Sequence, residues 1–119
     1  DVYGHLDYIA RYIPANSYAY DWHDFDDLIN TILKTIIEKG KGIEINTAGL
    51  KYGMPEPNPC LDIVKMYHNL GGEIITVGSD AHEVKYFAYR FDVVADMLKN
   101  AGFNYYTIFN ERKPEFIRL

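Results

Sequence analysis

Apolar residues recur at steps of three and four in three separate stretches of the chain, the spacing that places them along one face of an α-helix. The stretches cover residues 25–37, 61–70 and 84–98, and glycine closes each of them, at Gly40 and Gly42, at Gly71 and Gly72, and at Gly102. Before the second stretch stands Asn58-Pro59, a pair typical of a helix N-cap followed by proline at the first helical position. We therefore predict three amphipathic helices.

Short apolar runs lie between these stretches and predict β-strands. They cover residues 1–3, 43–46, 73–78 and 105–109, with a further short run at 116–117. Alternating strands and helices are typical of right-handed crossovers and a parallel sheet. We therefore expect an α/β fold with four parallel strands and helices on one side, and a loop over residues 14–21. Such a sheet would have open edges and an uncovered face, so we expect the chain to self-associate.

Composition narrows the classes of function. The chain has 119 residues and is 48% hydrophobic, which suits one globular domain at most. Its net charge of -5 argues against nucleic acid as a partner, because a nucleic-acid backbone needs a basic surface. No apolar run approaches the roughly 18 residues of a membrane-spanning helix. The single Cys60 cannot form an internal disulfide and fits a reducing cytoplasm.

The strongest candidate for chemistry is the segment GSDAH at residues 78–82, directly after the third predicted strand. In parallel α/β proteins, functional sites are built at the carboxyl ends of strands. Asp80 and His82 are of the residue types that bind zinc, iron and manganese. A Ser-Asp pair before a helix is also an ordinary N-cap, so the spacing alone leaves both interpretations open.

Two further segments extend this picture. In chain order, GHLDYIARY at residues 4–12, IEINTAGLK at residues 43–51 and IITVGSDAH at residues 74–82 each follow or overlap a predicted strand. Together they closely resemble the C-terminal half of histidinol-phosphatases of the polymerase-and-histidinol-phosphatase (PHP) superfamily. The resemblance covers nearly the whole chain, up to about residue 105.

The resemblance implies a fold and a domain boundary. The family forms a distorted (βα)7 barrel, so residues 1–119 would be the C-terminal part of a single PHP domain. The family's N-terminal His-x-His motif does not occur here, where the histidines are His5, His23, His68 and His82. We therefore expect a fragment of a longer protein. A naturally shortened, non-catalytic relative is the alternative.

The resemblance also implies a metal site. In the family, three divalent metal ions (zinc, manganese or iron) lie at the strand ends, and the residues that match their ligands are His5, Asp80 and His82. Asp7 would orient neighbouring groups, as a carboxylate does beside a metal-bound imidazole. About one ligand per metal is too few for a stable site, so we expect the isolated chain to be inactive.

Four more residues are candidates for binding or support. Family members place basic residues where Arg11 and Lys51 stand, to hold the substrate phosphate, although an arginine is common at the second position. Two solvated cations are the alternative for this pair. Glu44 and Asn46 share one face of a strand. We expect Asn46 to contact substrate and Glu44 to support the site, with a partly exposed edge strand as the alternative.

The resemblance implies the function of a metal-dependent phosphomonoesterase, with L-histidinol phosphate as the best substrate, acting in histidine biosynthesis in the cytoplasm. The expected partner is thus a phosphorylated small molecule, with neither nucleic acid nor membrane involved. Two alternatives stay open: another phosphoesterase of the same superfamily, and a PHP-like binding module without catalysis. An upstream His-x-His motif with further His and Glu would identify the enzyme.

Overall fold

The computed structural model describes residues 1–13 and 20–119. Most of the loop predicted at 14–21 thus lies outside the described residues. Three parallel strands, β1 (Val2–Tyr3), β2 (Gly42–Asn46) and β3 (Ile75–Gly78), form a sheet with β2 in the centre. The register pairs Tyr3 with Ile43 on one side of β2, and Ile43 with Ile75 on the other. The predicted α/β architecture with parallel strands and helices is confirmed.

Three α-helices follow these strands: α1 (Asp26–Glu38), α2 (Leu61–Asn69) and α3 (Phe91–Asn100). Short 3-10 helices cover Tyr8–Tyr12, Trp22–Phe25, Ala48–Tyr52 and Val84–Tyr86. One apolar cluster joins the buried faces of the helices to the strands, and its fully buried members include Leu33, Ile43, Ile45, Ile63, Val64, Tyr67, Ile75 and Leu98. No helix of the described residues has the length and apolar content to cross a bilayer.

The prediction that residues 105–109 extend the parallel sheet is wrong. Strand β4 (Tyr105–Asn110) pairs antiparallel with β5 (Lys113–Arg118), so the two form a hairpin. Glu111 and Arg112 both adopt positive φ, of 48° and 65°, as the two central residues of a tight hairpin turn do. Such turns usually contain Asn or Gly, and because Glu111 and Arg112 are neither, no turn was predicted here. The half-barrel arrangement stays a prediction.

The predicted third helix begins later than its apolar pattern indicates. Residues 84–90 form only a short 3-10 turn, and α3 starts at Phe91. Ala88 and Arg90 adopt φ of 53° and 55°, which an α-helix does not permit. Val84 and Phe87 are consequently 95% and 82% exposed instead of packing in the core.

The prediction that Asn58 caps the second helix is also wrong. Asn58 pairs through its backbone with Asn46 at the end of β2, in an isolated antiparallel bridge. The helix begins at Leu61 instead, with Cys60 in the N-cap position. Asn58 is buried, and it connects the segment before α2 to the end of β2.

Tyr67 of α2 offers a test of this packing by pH. Its fully buried hydroxyl donates to the carbonyl of Ile74 at 2.9 Å, and burial raises its pKa from 10.0 to about 12. The carbonyl of Ile74 also accepts from the amide of Ile43, so Tyr67→Phe leaves no orphaned acceptor. We expect this substitution to lower the free energy of unfolding by only about 1 kcal/mol at pH 8.

The pH dependence has a defined sign. The folded state holds the Tyr67 proton more tightly, so its contribution is complete below pH 10.0 and declines as the pH rises towards about 12. Each pH unit in this window removes up to about 1.4 kcal/mol from the wild type, but not from Tyr67→Phe. Urea unfolding at pH 8, 10 and 11 should therefore show the difference of about 1 kcal/mol between the two proteins shrinking by pH 10 and reversing its sign by pH 11. A difference in unfolding free energy that stays constant with pH would contradict the raised pKa of Tyr67.

Candidate metal centre

The loops after β1 and β3 bring together three residues that are far apart in the sequence. His5 follows β1, and Asp80 and His82 follow β3. Because these strands are parallel, their carboxyl ends lie at the same edge of the sheet. His5 Nε2 is 3.9 Å from Asp80 Oδ2, and His82 Nε2 is 3.3 Å from Asp80 Oδ1. The structure thus places the three side chains together as expected, and their role as metal ligands stays a prediction.

The backbone of these loops is unusual. His5, Asp7 and Asp80 all adopt left-handed φ, of 60°, 58° and 46°. This region costs a residue other than glycine on the order of 1 kcal/mol, so the surrounding contacts must hold it in place. Strained backbone of this kind is concentrated at functional sites.

The donor set fits a divalent metal by type but not by number. Two imidazoles and one carboxylate are ligands for zinc, manganese and iron, and the two carboxylate oxygens of Asp80 each face a different histidine. Within residues 1–13 and 20–119, however, no group of three or more His, Cys, Asp or Glu side chains is arranged to hold an ion. Complete sites of this kind have three or four protein ligands, so further ligands are required.

Glu44 occupies a space that two glycines leave open. A Cβ atom at Gly78 would lie 2.8 Å from Glu44 Oε2, and a Cβ atom at Gly4 would lie 3.5 Å from Oε1. The carboxylate is thus next to the residues that precede His5 and Asp80. Asn46 donates through Nδ2 to Glu44 Oε1 at 3.1 Å, and its Oδ1 accepts from the amide of Ala48 at 2.9 Å. Asn46 is buried and its amide hydrogen-bonds to Glu44, and the predicted contact of Asn46 with substrate stays a prediction.

Asp7 connects the His5 loop to the start of α2. Its carboxylate accepts from Asn58 Nδ2 at 2.6 Å and from the amide of Cys60 at 3.2 Å. Burial raises the pKa of Asp7 to about 6, although both hydrogen bonds act in the opposite direction. The expectation was that Asp7 would orient neighbouring groups, and the groups it binds are Asn58 and Cys60.

Arg11 lies among tyrosines. Its guanidinium carbon is 3.9 Å from the ring centre of Tyr52, 5.3 Å from that of Tyr8 and 5.6 Å from that of Tyr12. Its Nη1 also donates to the hydroxyl of Tyr8. Stacking of this kind fixes the plane of a guanidinium while leaving other N–H donors for an anion.

Lys51 and Thr47 contact the loop that carries Asp80. Lys51 Nζ donates to the backbone carbonyl of Asp80 at 3.2 Å and lies 3.5 Å from that of Ser79. Thr47, which the sequence did not single out, donates through its hydroxyl to the carbonyl of Tyr89 at 2.6 Å. Asn58 was likewise missed as a site residue. For Thr47, the one available signal was its position directly after a strand, inside the segment IEINTAGLK at residues 43–51.

The other two histidines have structural contacts. His23 Nδ1 is 2.6 Å from Asp21 Oδ1, and its ring stacks on Trp22 at 3.9 Å between centres. The Asp21 hydrogen bond raises the pKa of His23. His68 packs edge-on against Phe103. Neither contact involves the residues of the candidate metal centre.

Comparisons with known proteins find similarity to one kind of enzyme. The chain is 44% identical over 105 residues to a probable histidinol-phosphatase of Thermotoga maritima, with 87% of this chain and 42% of that protein covered. It is 32% identical over 102 residues to a probable histidinol-phosphatase of Clostridium acetobutylicum, covering 86% of this chain and 40% of that protein. A histidinol-phosphatase of Lactococcus lactis is 30% identical over 112 residues, with coverage of 93% and 41%.

A solved structure agrees with these matches. The crystal structure of histidinol phosphate phosphatase from Lactococcus lactis, complexed with zinc, L-histidinol and phosphate, superimposes with a TM-score of 0.75 at 29% identity. It covers 94% of this chain and 42% of that one. No protein-family model matches the chain. The chain spans about two fifths of the length of the curated relatives it matches. The resemblance to histidinol-phosphatases is confirmed.

Proposed function

We propose that this chain is the part of a metal-dependent phosphomonoesterase that supplies His5, Asp80 and His82 to its metal site, and that L-histidinol phosphate is the substrate. The observation that carries the proposal is the meeting of these three side chains around the Asp80 carboxylate. The 44% identity to a probable histidinol-phosphatase supports the choice of substrate. The remaining ligands would come from residues outside this sequence, which would complete a (βα)7 barrel and a trinuclear site.

The metal ions and the residues of this chain would have different roles in the reaction. Divalent metal ions, when bound, lower the pKa of water to give a hydroxide nucleophile and polarise the phosphoryl oxygens. His5, Asp80 and His82 would hold the ions at the strand ends. Arg11 has a guanidinium plane fixed by Tyr52, so it would bind two phosphate oxygens in a defined orientation. Glu44 and Asn46 would keep the adjoining strand ends in place.

The decisive experiment uses the complete protein that contains this sequence. Release of inorganic phosphate from L-histidinol phosphate is measured with zinc, manganese or iron, and after removal of metal by a chelator. We expect metal-dependent turnover that is faster for this substrate than for p-nitrophenyl phosphate or glycerol phosphate. Equal rates for all three esters would favour a different phosphoesterase of similar fold, and metal binding without turnover would favour a non-catalytic module.

The isolated 119-residue chain should behave differently. We expect negligible phosphatase activity with any of these metals, because the described residues contain no group of three ligands that could hold an ion. The same assay, run on the purified chain at micromolar concentration, checks this result.

The control for this assay is a measurement of the oligomeric state of the chain in solution. Several large apolar side chains are exposed, including Leu28, Val84 and Phe87, so we propose that the isolated chain self-associates. Light scattering at several concentrations should be recorded on the same sample. Metal-dependent turnover by a monomer would show that the chain contains a complete site.

A further inference from the structure

We propose that Thr47 and Lys51 are positioning residues, which hold the loop carrying Asp80 and His82 by its backbone carbonyls. Lys51 would therefore act on this loop and not on the substrate phosphate. The inference rests on the proposed function, because it concerns the same site. It reassigns a lysine that the sequence resemblance places among the phosphate-binding residues.

The contacts of Lys51 carry the first half of the argument. Its ammonium donates to the carbonyl of Asp80 at 3.2 Å and lies 3.5 Å from the carbonyl of Ser79. It also lies 4.9 Å from the ring centre of Tyr86, beyond His82 in the same loop. Two of the three donors of the ammonium are thus directed at the loop on one side of His82, and its charge contacts an aromatic face on the other side.

Thr47 holds the same loop at its two ends. Its amide donates to the carbonyl of Gly78 at 2.9 Å, and its hydroxyl donates to the carbonyl of Tyr89 at 2.6 Å. The Thr47 side chain is fully buried and Tyr89 is half-buried, so loss of the hydroxyl would leave the Tyr89 carbonyl without this partner at the edge of the core. Thr47 and Lys51 are four residues apart in the segment that follows β2, and together they contact the loop from residue 78 to residue 89.

The loop needs such contacts because it has little else to fix it. Residues 79–90 contain only the 3-10 turn Val84–Tyr86, and Val84 and Phe87 are exposed. Asp80 is held at a φ of 46°, a conformation that is unfavourable without support. Lys51, in the 3-10 helix that follows β2, supplies this support by donating to the carbonyls of Asp80 and Ser79. The direction of the Asp80 and His82 side chains therefore depends on Lys51 and Thr47.

Amide hydrogen exchange in the 119-residue chain tests the positioning role without metal or substrate. Lys51→Met removes the ammonium with little change in shape, and we expect exchange of the hydrogen-bonded amides of Tyr86, Phe87 and Tyr89 to become about tenfold faster, while the amides of α2 are unchanged. Lys51→Arg should stay within about threefold of the wild type, because it keeps the donors. Lys65→Met, on the surface of α2, is the matched control. Thr47→Val should accelerate the same amides.

The complete protein separates positioning from phosphate binding. For Lys51→Met we expect metal affinity, measured by competition with a chelator, to fall about tenfold and kcat to fall with it. KM for the phosphate ester and the inhibition constant of inorganic phosphate should stay within about threefold. Raised values of both constants with unchanged metal affinity would overturn the proposal and identify Lys51 as a phosphate ligand.

A failure of the proposed function can be distinguished from a failure of the positioning role of Lys51. If the complete protein binds metal but does not hydrolyse any phosphate ester, the proposed function is wrong. Metal affinity and amide exchange would still report on Lys51. Exchange in Lys51→Met at the wild-type rate throughout residues 79–90 would overturn the positioning role whatever the reaction is.

Discussion

Replacement of Asp80 by asparagine in the complete protein should lower kcat for phosphate-ester hydrolysis by roughly a thousandfold, the equivalent of about 4 kcal/mol. Both carboxylate oxygens of Asp80 face a histidine, one at 3.9 Å and the other at 3.3 Å. Asparagine keeps the shape of the side chain but is neutral and has a single oxygen. It therefore removes the charge and one of the two donor atoms at the point where the strand-end loops meet. Steady-state kinetics with excess metal provide the measurement.

A matched variant separates this effect from a general loss of charge. Asp96→Asn changes an exposed aspartate on α3 in the same way and should leave kcat within about twofold. Circular dichroism of both variants would establish that the fold is retained. Asp80→Asn with more than a tenth of wild-type activity would contradict the role of Asp80 as a metal ligand.

The arrangement of the candidate site could be predicted because it depends on short-range patterns. An apolar strand followed by GSDAH, and a second strand followed by GH, place their polar residues at the same edge once the strands are parallel. The alternation of Ile43 and Ile45 with Glu44 and Asn46 likewise separated the core face of β2 from its polar face. Neither step required knowledge of distant contacts.

The parts that could not be predicted depend on contacts between distant segments. The apolar spacing of residues 84–98 is that of a helix throughout, yet the contacts of Thr47 and Lys51 with residues 78–89 accompany a non-helical course up to Phe91. The hairpin of β4 and β5 turns at Glu111 and Arg112, which carry no turn signal. The buried position of Asn58 is determined by Asn46 and Asp7, from other parts of the chain.

The glycines show the same division between local and distant causes. The sequence assigned both glycines of each closing pair to the ends of helices. Gly40 and Gly71 do adopt positive φ, of 62° and 90°, with no atom within 4 Å of an added Cβ. Their partners serve a different purpose, since a Cβ at Gly72 would lie 2.3 Å from the ring of Tyr67. The second glycine of each pair thus permits close packing, which no local pattern reveals.

Gly42→Ala should consequently be among the most destabilising single substitutions in the chain, lowering the free energy of unfolding by about 3 kcal/mol or more. A Cβ at Gly42 would lie 2.2 Å from the carbonyl oxygen of Ile74. That oxygen accepts from the amide of Ile43 and from the hydroxyl of Tyr67, so it cannot move without breaking the contact between β2 and β3. Strand β2 would be pushed away from the strand that leads to Asp80.

The matched control for Gly42→Ala lies two residues earlier in the chain, in the turn before β2. Gly40→Ala introduces the same methyl group into open space, and its cost of about 1 kcal/mol should come only from the left-handed φ. Urea unfolding of both variants at one protein concentration compares the two causes directly, since self-association would make stability depend on concentration. Equal losses would mean that β2 can shift to accept a side chain at Gly42. The larger loss for Gly42→Ala would show instead that close packing between β2 and β3, and not helix termination, requires this glycine.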